Sequence, residues 1–246
     1  MSELPLLTLG NAAQVNRRTG LADTIRSLSA DSLVDAYKGT VAAAPKRHLS
    51  KAGFFVGHDG GGGAANVNSE KVRAKAIFNS PLPLVVGSRQ VRIVDYEVPL
   101  RSSRSDEGVG EIDLVGIDTD PARLWIIELK VFDNMDTPLK ALLQGLRYSA
   151  IVDANQAAIT VEALGRFDAD LQWPAVIAVA ADNAYWEKMI GTPKADDWLA
   201  ALKVLSGSLA ERLRIDIRLL DLGDLQVEIG TDGKAHLRQA ASTKEL

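Results

Sequence analysis

Residues 110–148 read GEIDLVGIDTDPARLWIIELKVFDNMDTPLKALLQGLRY, and this stretch decides the fold. Two apolar runs flank a turn at Asp118–Pro121. Each carries charge where a strand interior expects none: Asp113 in the first run, Glu128 and Lys130 in the second. Burying a carboxylate or an ammonium strips its water, so such residues point to a metal, a partner charge or a catalytic task. Side chains two apart in a strand share a face. Glu128 and Lys130 therefore point the same way, with Leu129 turned into the core, and Glu111 and Asp113 share a face of the neighbouring strand. If the two strands pair, Asp113 and Glu128 converge within the coordination shell of one cation.

On the upstream side, Val91–Leu100 alternates apolar and polar residues as a strand does, and the polar, glycine-containing 101–110 joins it to the next strand as a hairpin. Downstream, Asp136-Thr137-Pro138 is a helix start, a capping side chain followed by proline at the first position. Leu139, Leu142, Leu143, Leu146 and Ala150 form the buried stripe of that helix. Gln144 and Tyr148 lie off the stripe, one turn apart. Pro174–Ala181 is a wholly apolar run, read as a buried strand. Thr192-Pro193 opens a further helix, with Asp196 and Asp197 suited to its positive end and Trp198, Leu202, Leu205 and Leu209 as its core face. Leu213–Leu219 alternates as a one-sided strand. Residues 225–229 and 235–237 read as a terminal hairpin around Thr231-Asp232-Gly233-Lys234, and the last residues are expected to fray.

A helix over 66–79, capped by Asn68 or Ser69, precedes all of this and carries Glu70 in its first turn. Before it, Leu21–Leu28 and Asp31–Tyr37 are two short helices, Lys46-Arg47-His48 is a small basic cluster, and Gly57–Gly63 is a glycine run around His58 and Asp59. The run lacks the Gly-Lys-Ser/Thr ending of a phosphate-binding loop and is read as a linker. Three regions follow: an N-terminal helical and flexible segment over 1–65, a core over 66–222, and a C-terminal hairpin and tail over 223–246. The order of elements predicts an α/β fold, a mixed central sheet with helices on both faces.

Composition narrows the chemistry. The 246 residues include 46% hydrophobic and 24% charged, an ordinary globular balance. There is no cysteine, which excludes disulfides, thiolate metal sites and cysteine nucleophiles. His48, His58 and His236 are the three histidines and show no metal-ligand spacing. A bound metal is therefore expected to be a hard cation on carboxylates. No segment reads as a secretory signal or a membrane span, so a cytoplasmic protein without membrane contact is expected. A net charge of −4 argues against bulk nucleic-acid binding through overall charge, though not against a local basic patch. Lys71, Arg73, Lys75, Arg101 and Arg104 are solvated charges or, together, the flank of a nucleic-acid groove.

The spacing supports a site. Mg²⁺ keeps several waters and needs few protein oxygens, so Asp113, Glu128 and the Leu129 carbonyl suffice as ligands. Lys130 beside them orients or helps deprotonate a water, and Glu70 reaches the same place from the preceding helix. Gln144 and Tyr148 orient a carboxylate, the lysine or a substrate phosphate.

Asp113, then Glu128-Leu129-Lys130, then Gln144-Gly145-Leu146-Arg147-Tyr148 resembles the D…(D/E)xK and QxxxY signatures of the PD-(D/E)xK nuclease superfamily. Within it, the RecB-like branch and the C-terminal nuclease domain of NucS-type endonucleases are the most similar. No proline precedes Asp113. The resemblance spans about residues 66–220 and implies a restriction-endonuclease-like core. It implies Asp113 and Glu128 as metal ligands, Lys130 as the catalytic lysine, and Gln144 and Tyr148 as supporting or DNA-contacting residues. Glu70 is the candidate for the helix glutamate. The expected activity is Mg²⁺-dependent hydrolysis of phosphodiester bonds, DNA before RNA, with Mn²⁺ as a substitute metal, in a repair or defence setting. A homodimer and a targeting partner protein are options, and a nuclease-fold binding or assembly module without turnover is the alternative. Each residue also has a plain reading: Glu128–Lys130 a surface ion pair, Asp113 a strand-end aspartate, Glu111 a solvated neighbour with a secondary metal ligand as its alternative, Tyr148 a core-edge aromatic, and Arg147 a surface cation with a phosphate contact as its alternative.

Overall fold

The alternating residues form the strands β1 (Leu84–Val86), β2 (Arg89–Pro99), β3 (Glu111–Asp118), β4 (Arg123–Lys130), β5 (Gln172–Ala181), β6 (Asp216–Asp221), β7 (Val227–Ile229), β8 (Ala235–Leu237) and β9 (Lys244–Glu245) in a computed structural model. It describes residues 4–45, 53–61, 69–101, 106, 109–119, 121–191 and 195–246. The Lys46-Arg47-His48 cluster, Gly62, Gly63, Asn68, Arg104 and the helix opening at Thr192-Pro193 lie outside them, as does the side chain of Asp196.

Seven strands make one mixed sheet in the order β1-β2-β3-β4-β5-β6-β9. β1 to β4 run antiparallel in sequence order, β4, β5 and β6 run parallel, and β9 returns antiparallel. β4 is thus the middle strand, paired antiparallel on one side and parallel on the other. That position explains its composition: both faces are covered, so RLWIIELK is apolar throughout except at its charged ends and Glu128. The tail does not fray as expected. Lys244 and Glu245 pair with Asp221 and Leu220, which closes the free edge of β6.

The helices divide between the faces. α4 (Glu70–Phe78) is capped by Ser69, whose hydroxyl accepts the Val72 amide, and it lays Ala74 and Ile77 against Leu114, Trp125, Ile127 and Leu129. The separate β7–β8 hairpin packs beside it through Ala235. On the other face, α5 (Pro138–Asp153) starts at Thr137, whose hydroxyl accepts the Lys140 amide. Gly145 lets it come close: a Cβ there would stand 2.7 Å from Ile177 Cγ2 on β5. Two helices not read from the sequence, α6 (Gln156–Phe167) and α7 (Asn183–Ile190), lead into and out of β5. α8 (Ala195–Leu213) then leads to β6.

The N-terminal region shares this core. α1 (Pro5–Gly10), α2 (Leu21–Ser27) and α3 (Ala30–Ala43) contribute Leu6, Leu21, Ile25, Leu33 and Tyr37 to one cluster with Leu139, Leu142, Leu143 and Leu146 of α5 and Leu202 and Leu209 of α8. They cover the outer side of α5, which is consequently buried well beyond its expected stripe. The glycine run is also engaged. Asp95, fully buried at a bulge in β2, accepts the Gly57 amide at 2.9 Å and the His58 ring at 2.7 Å, so His58 and Asp59 are not the linker residues expected.

Candidate active site at the end of β4

The site is built by the point where the β3–β4 ladder stops. Its last pair is Leu114 with Ile127, and one further step of the same register sets Asp113 opposite Glu128. The Asp113 carboxylate closes the ladder: its Oδ2 accepts the Leu129 amide at 2.8 Å. The amide and carbonyl of one strand residue project to the same edge, so the Leu129 carbonyl also faces the Asp113 side.

Glu128 and Lys130 share a face, as the period of two requires, and each is 2% exposed. Their side chains meet at 2.7 Å through Glu128 Oε1. Glu128 Oε2 is buried and has no hydrogen-bond partner. Glu70 arrives from the first turn of α4, on the other side of the sheet, and sets its Oε1 3.6 Å from the Lys130 ammonium. Its Oε2 is held by the Asn134 amide at 2.8 Å. Asp182 fixes this corner. It caps α7 through the Tyr185 amide, pairs with Arg73 of α4 and accepts the Phe132 amide at 3.3 Å. Lys71 is exposed, as expected of a solvated charge, and pairs with Glu97, while Lys75 reaches the Gly61 carbonyl.

Three carboxylates around one ammonium set the electrostatics. Burial first, then the neighbouring Glu128 charge, holds the Asp113 carboxyl well above the usual carboxylate range, against the pull of Lys130. Burial also raises Glu128, less so because Lys130 pairs with it. Burial alone would lower Lys130, but Glu128, Asp113 and Glu70 together outweigh it and lift its pKa above the ordinary lysine value. Lys130 is therefore held as a cation by its carboxylate neighbours.

Gln144 and Tyr148 are placed differently from one another. Tyr148 is buried, and burial followed by the charge of Glu128 raises its pKa, which puts it in the field of the carboxylates. Its hydroxyl lies against Gly110, where φ is +89° and a Cβ would come within 2.7 Å of it. Gln144 faces away, into a 240 Å³ cavity between α1 and α5, and its Oε1 has no partner. Arg147 is buried, not a surface cation; its Nη2 donates to the Tyr148 hydroxyl at 3.1 Å. Glu111 is exposed. Sequence reading missed Asn134 and Asp182 and read Arg147 as a surface cation. Of these, only Arg147 carried a signal, lying inside the QxxxY segment.

Among the described residues no group of three or more His, Asp or Glu side chains is gathered to hold a metal. What fits a hard cation is smaller: Asp113, the bare Oε2 of Glu128 and the Leu129 carbonyl, the remaining positions going to water. Glu70 meets Lys130, and its charge is felt at both Asp113 and Glu128. No helix among the described residues is long and apolar enough to cross a membrane. No protein family, no curated protein and no solved structure matches this chain.

Proposed function

We propose that this chain is a metal-dependent nuclease of the PD-(D/E)xK kind that hydrolyses phosphodiester bonds in DNA. The observation that carries the reading is the buried, unpartnered Glu128 Oε2 in the register position opposite Asp113. Two adjacent carboxylates with one oxygen bare are costly unless a cation completes them. Asp113, Glu128 and the Leu129 carbonyl would hold Mg²⁺ or Mn²⁺. Such an ion supplies Lewis acidity toward a phosphoryl oxygen and acidifies water. Lys130, kept charged by its three carboxylate neighbours, offsets negative charge as it builds on the phosphate. Glu70, itself held by the Asn134 amide, stands 3.6 Å from that ammonium. Water is the nucleophile, so no covalent enzyme intermediate is expected.

A second reading, a nucleic-acid-binding module without turnover, draws on one observation: Glu128 Oε1 is already taken by Lys130. One assay separates the two. Plasmid, linear duplex and single-stranded DNA are incubated with Mg²⁺, Mn²⁺ or chelator, using wild type, Asp113→Ala and Lys130→Ala. Cutting that needs metal and disappears in both variants is the expected result. Metal-independent binding without cutting favours the module, and an inert, non-binding wild type defeats both.

A further inference from the structure

We propose that the cavity between α1 and α5 is a phosphate-binding subsite anchored by Arg147, and that it takes a second phosphate of the nucleic-acid strand beside the one at Asp113 and Glu128. Its place on the substrate rests on the nuclease reading; its anion chemistry does not. Arg147 is 7% exposed, yet its guanidinium meets no carboxylate among the described residues. Nη2 donates to the Tyr148 hydroxyl at 3.1 Å and the group lies 4.8 Å over that ring, which fixes its plane. Nε has no partner at all. A buried cation left so is expensive, and a guanidinium is the side chain whose donors match phosphate oxygens best.

The rest of the cavity suits the same ligand. Lys140, Gln144 and Arg147 recur at i, i+4 and i+7 on one face of α5, and all three line the 240 Å³ space. Gln144 brings an amide to the wall, its buried Oε1 left unpartnered. Lys140 adds charge while Asp136 holds its ammonium at 2.8 Å. Asn11 faces them from the end of α1.

The cavity adjoins the carboxylates. Arg147 Nη2 stands 3.1 Å from where a Gly110 Cβ would be, three residues before Asp113, and its charge is felt at Glu128. This gives the N-terminal helices a task. Without α1 the face carrying Gln144 and Arg147 would be open surface; with it, that face becomes a walled pocket.

The test uses the full chain in chelator, so cleavage plays no part. Inorganic phosphate is titrated at constant ionic strength and the melting temperature followed. Wild type and Asp113→Asn should both be stabilised. Arg147→Met should bind phosphate at least about tenfold more weakly, the scale of one lost charge-assisted contact. Gln144→Glu gives Arg147 an internal counter-ion. It should raise the melting temperature without phosphate and abolish the response, and it carries the test if Arg147→Met does not fold. A 5′-phosphorylated and an unphosphorylated oligonucleotide, added without metal, should each bind at least about tenfold more weakly to Arg147→Met than to wild type. No phosphate response in wild type, as from a cavity holding only water, overturns the proposal, and so does an equal response in Arg147→Met and Gln144→Glu. Equal oligonucleotide binding by wild type and Arg147→Met overturns the subsite's place on the strand. Phosphate binding in a protein that never cuts DNA would sink the nuclease reading alone.

Discussion

The β3–β4 hairpin carries an aspartate at each end, Asp118 buried and Asp113 partly buried, and the two ends are built differently. At the turn end, Asp118 is fully buried and fully answered. Arg89 reaches its Oδ2 at 2.7 Å and the Arg123 amide its Oδ1 at 2.8 Å. Arg123 bridges on to Asp216 at 3.3 Å. Arg218 grips Asp216 at 2.7 and 2.9 Å and continues to Glu245 at 2.8 Å. At the open end, Asp113, Glu128 and Glu70 share the field of one lysine, and one oxygen of Glu128 has nothing. The strands are the same and so is the core around them; only the counter-charges differ. At the turn end both oxygens of Asp118 and of Asp216 are answered, and the one buried atom of that network without a partner is a donor, Arg123 Nε, 3.8 Å from Asp118 Oδ2. A carboxylate oxygen left bare in the same scaffold points to a ligand that completes it.

Breaking the turn end should therefore harm stability and leave chemistry alone. Asp118→Ala strands Arg89 and leaves Arg123 only Asp216, and should lower the unfolding free energy by about 3 kcal/mol in a urea titration. DNA cleavage per folded molecule should not change. A comparable drop in cleavage would mean that the two ends do not act independently.

The open end should respond in reverse. Asp113→Asn keeps an oxygen to accept the Leu129 amide and removes one charge from the crowded cluster. In chelator it should stabilise the protein by about 1 kcal/mol, read as a higher melting temperature. With metal it should cut about 10²–10³-fold more slowly. Destabilisation instead would make Asp113 a scaffold residue like Asp118, and the contrast between the ends would fail.

The strands were legible because alternation and continuous apolar runs report directly on burial, and the pairing of Asp113 with Glu128 follows from period and order alone. The mixed sheet and the covered β4 came from the same signal. Harder to read was what answers each charge. Asp95 in VRIVDYEV gives the same cue as Asp113 in EIDLVGI, an aspartate inside an apolar strand, yet Asp95 is satisfied by Gly57 and His58, nearly forty residues away. Local pattern flags a buried carboxylate but cannot say whether a distant loop will supply its donors. Arg147 was misread for a related reason. Whether the outer face of α5 meets water depends on α1 and α3, whose docking leaves no mark on the α5 sequence. Glu70 was placed by helix and order, and the structure brings it to Lys130, within the field of the carboxylate pair.

The smallest effect tests whether the carboxylates of the turn end are answered in charge as well as in hydrogen bonds. Asp216 is half-buried, which by itself would raise its pKa. Arg218, and after it Arg123, outweigh this and hold the carboxyl below its usual range. A depressed folded-state pKa gives stability that is complete above the unfolded value, about 3.9 for aspartate, and is lost as pH falls through the lower folded value. Wild type should then exceed Asp216→Asn by about 1 kcal/mol or less at neutral pH, the scale of a partly exposed ion pair. That margin should hold down to about pH 4 and close below it. Parallel melting curves across that range, read against Asp216→Asn, isolate this carboxylate from the rest of the acid response. A margin that closes well above pH 4 would mean that Arg218 and Arg123 do not answer Asp216 in solution, and the turn end would lose its claim to be the satisfied half of the hairpin.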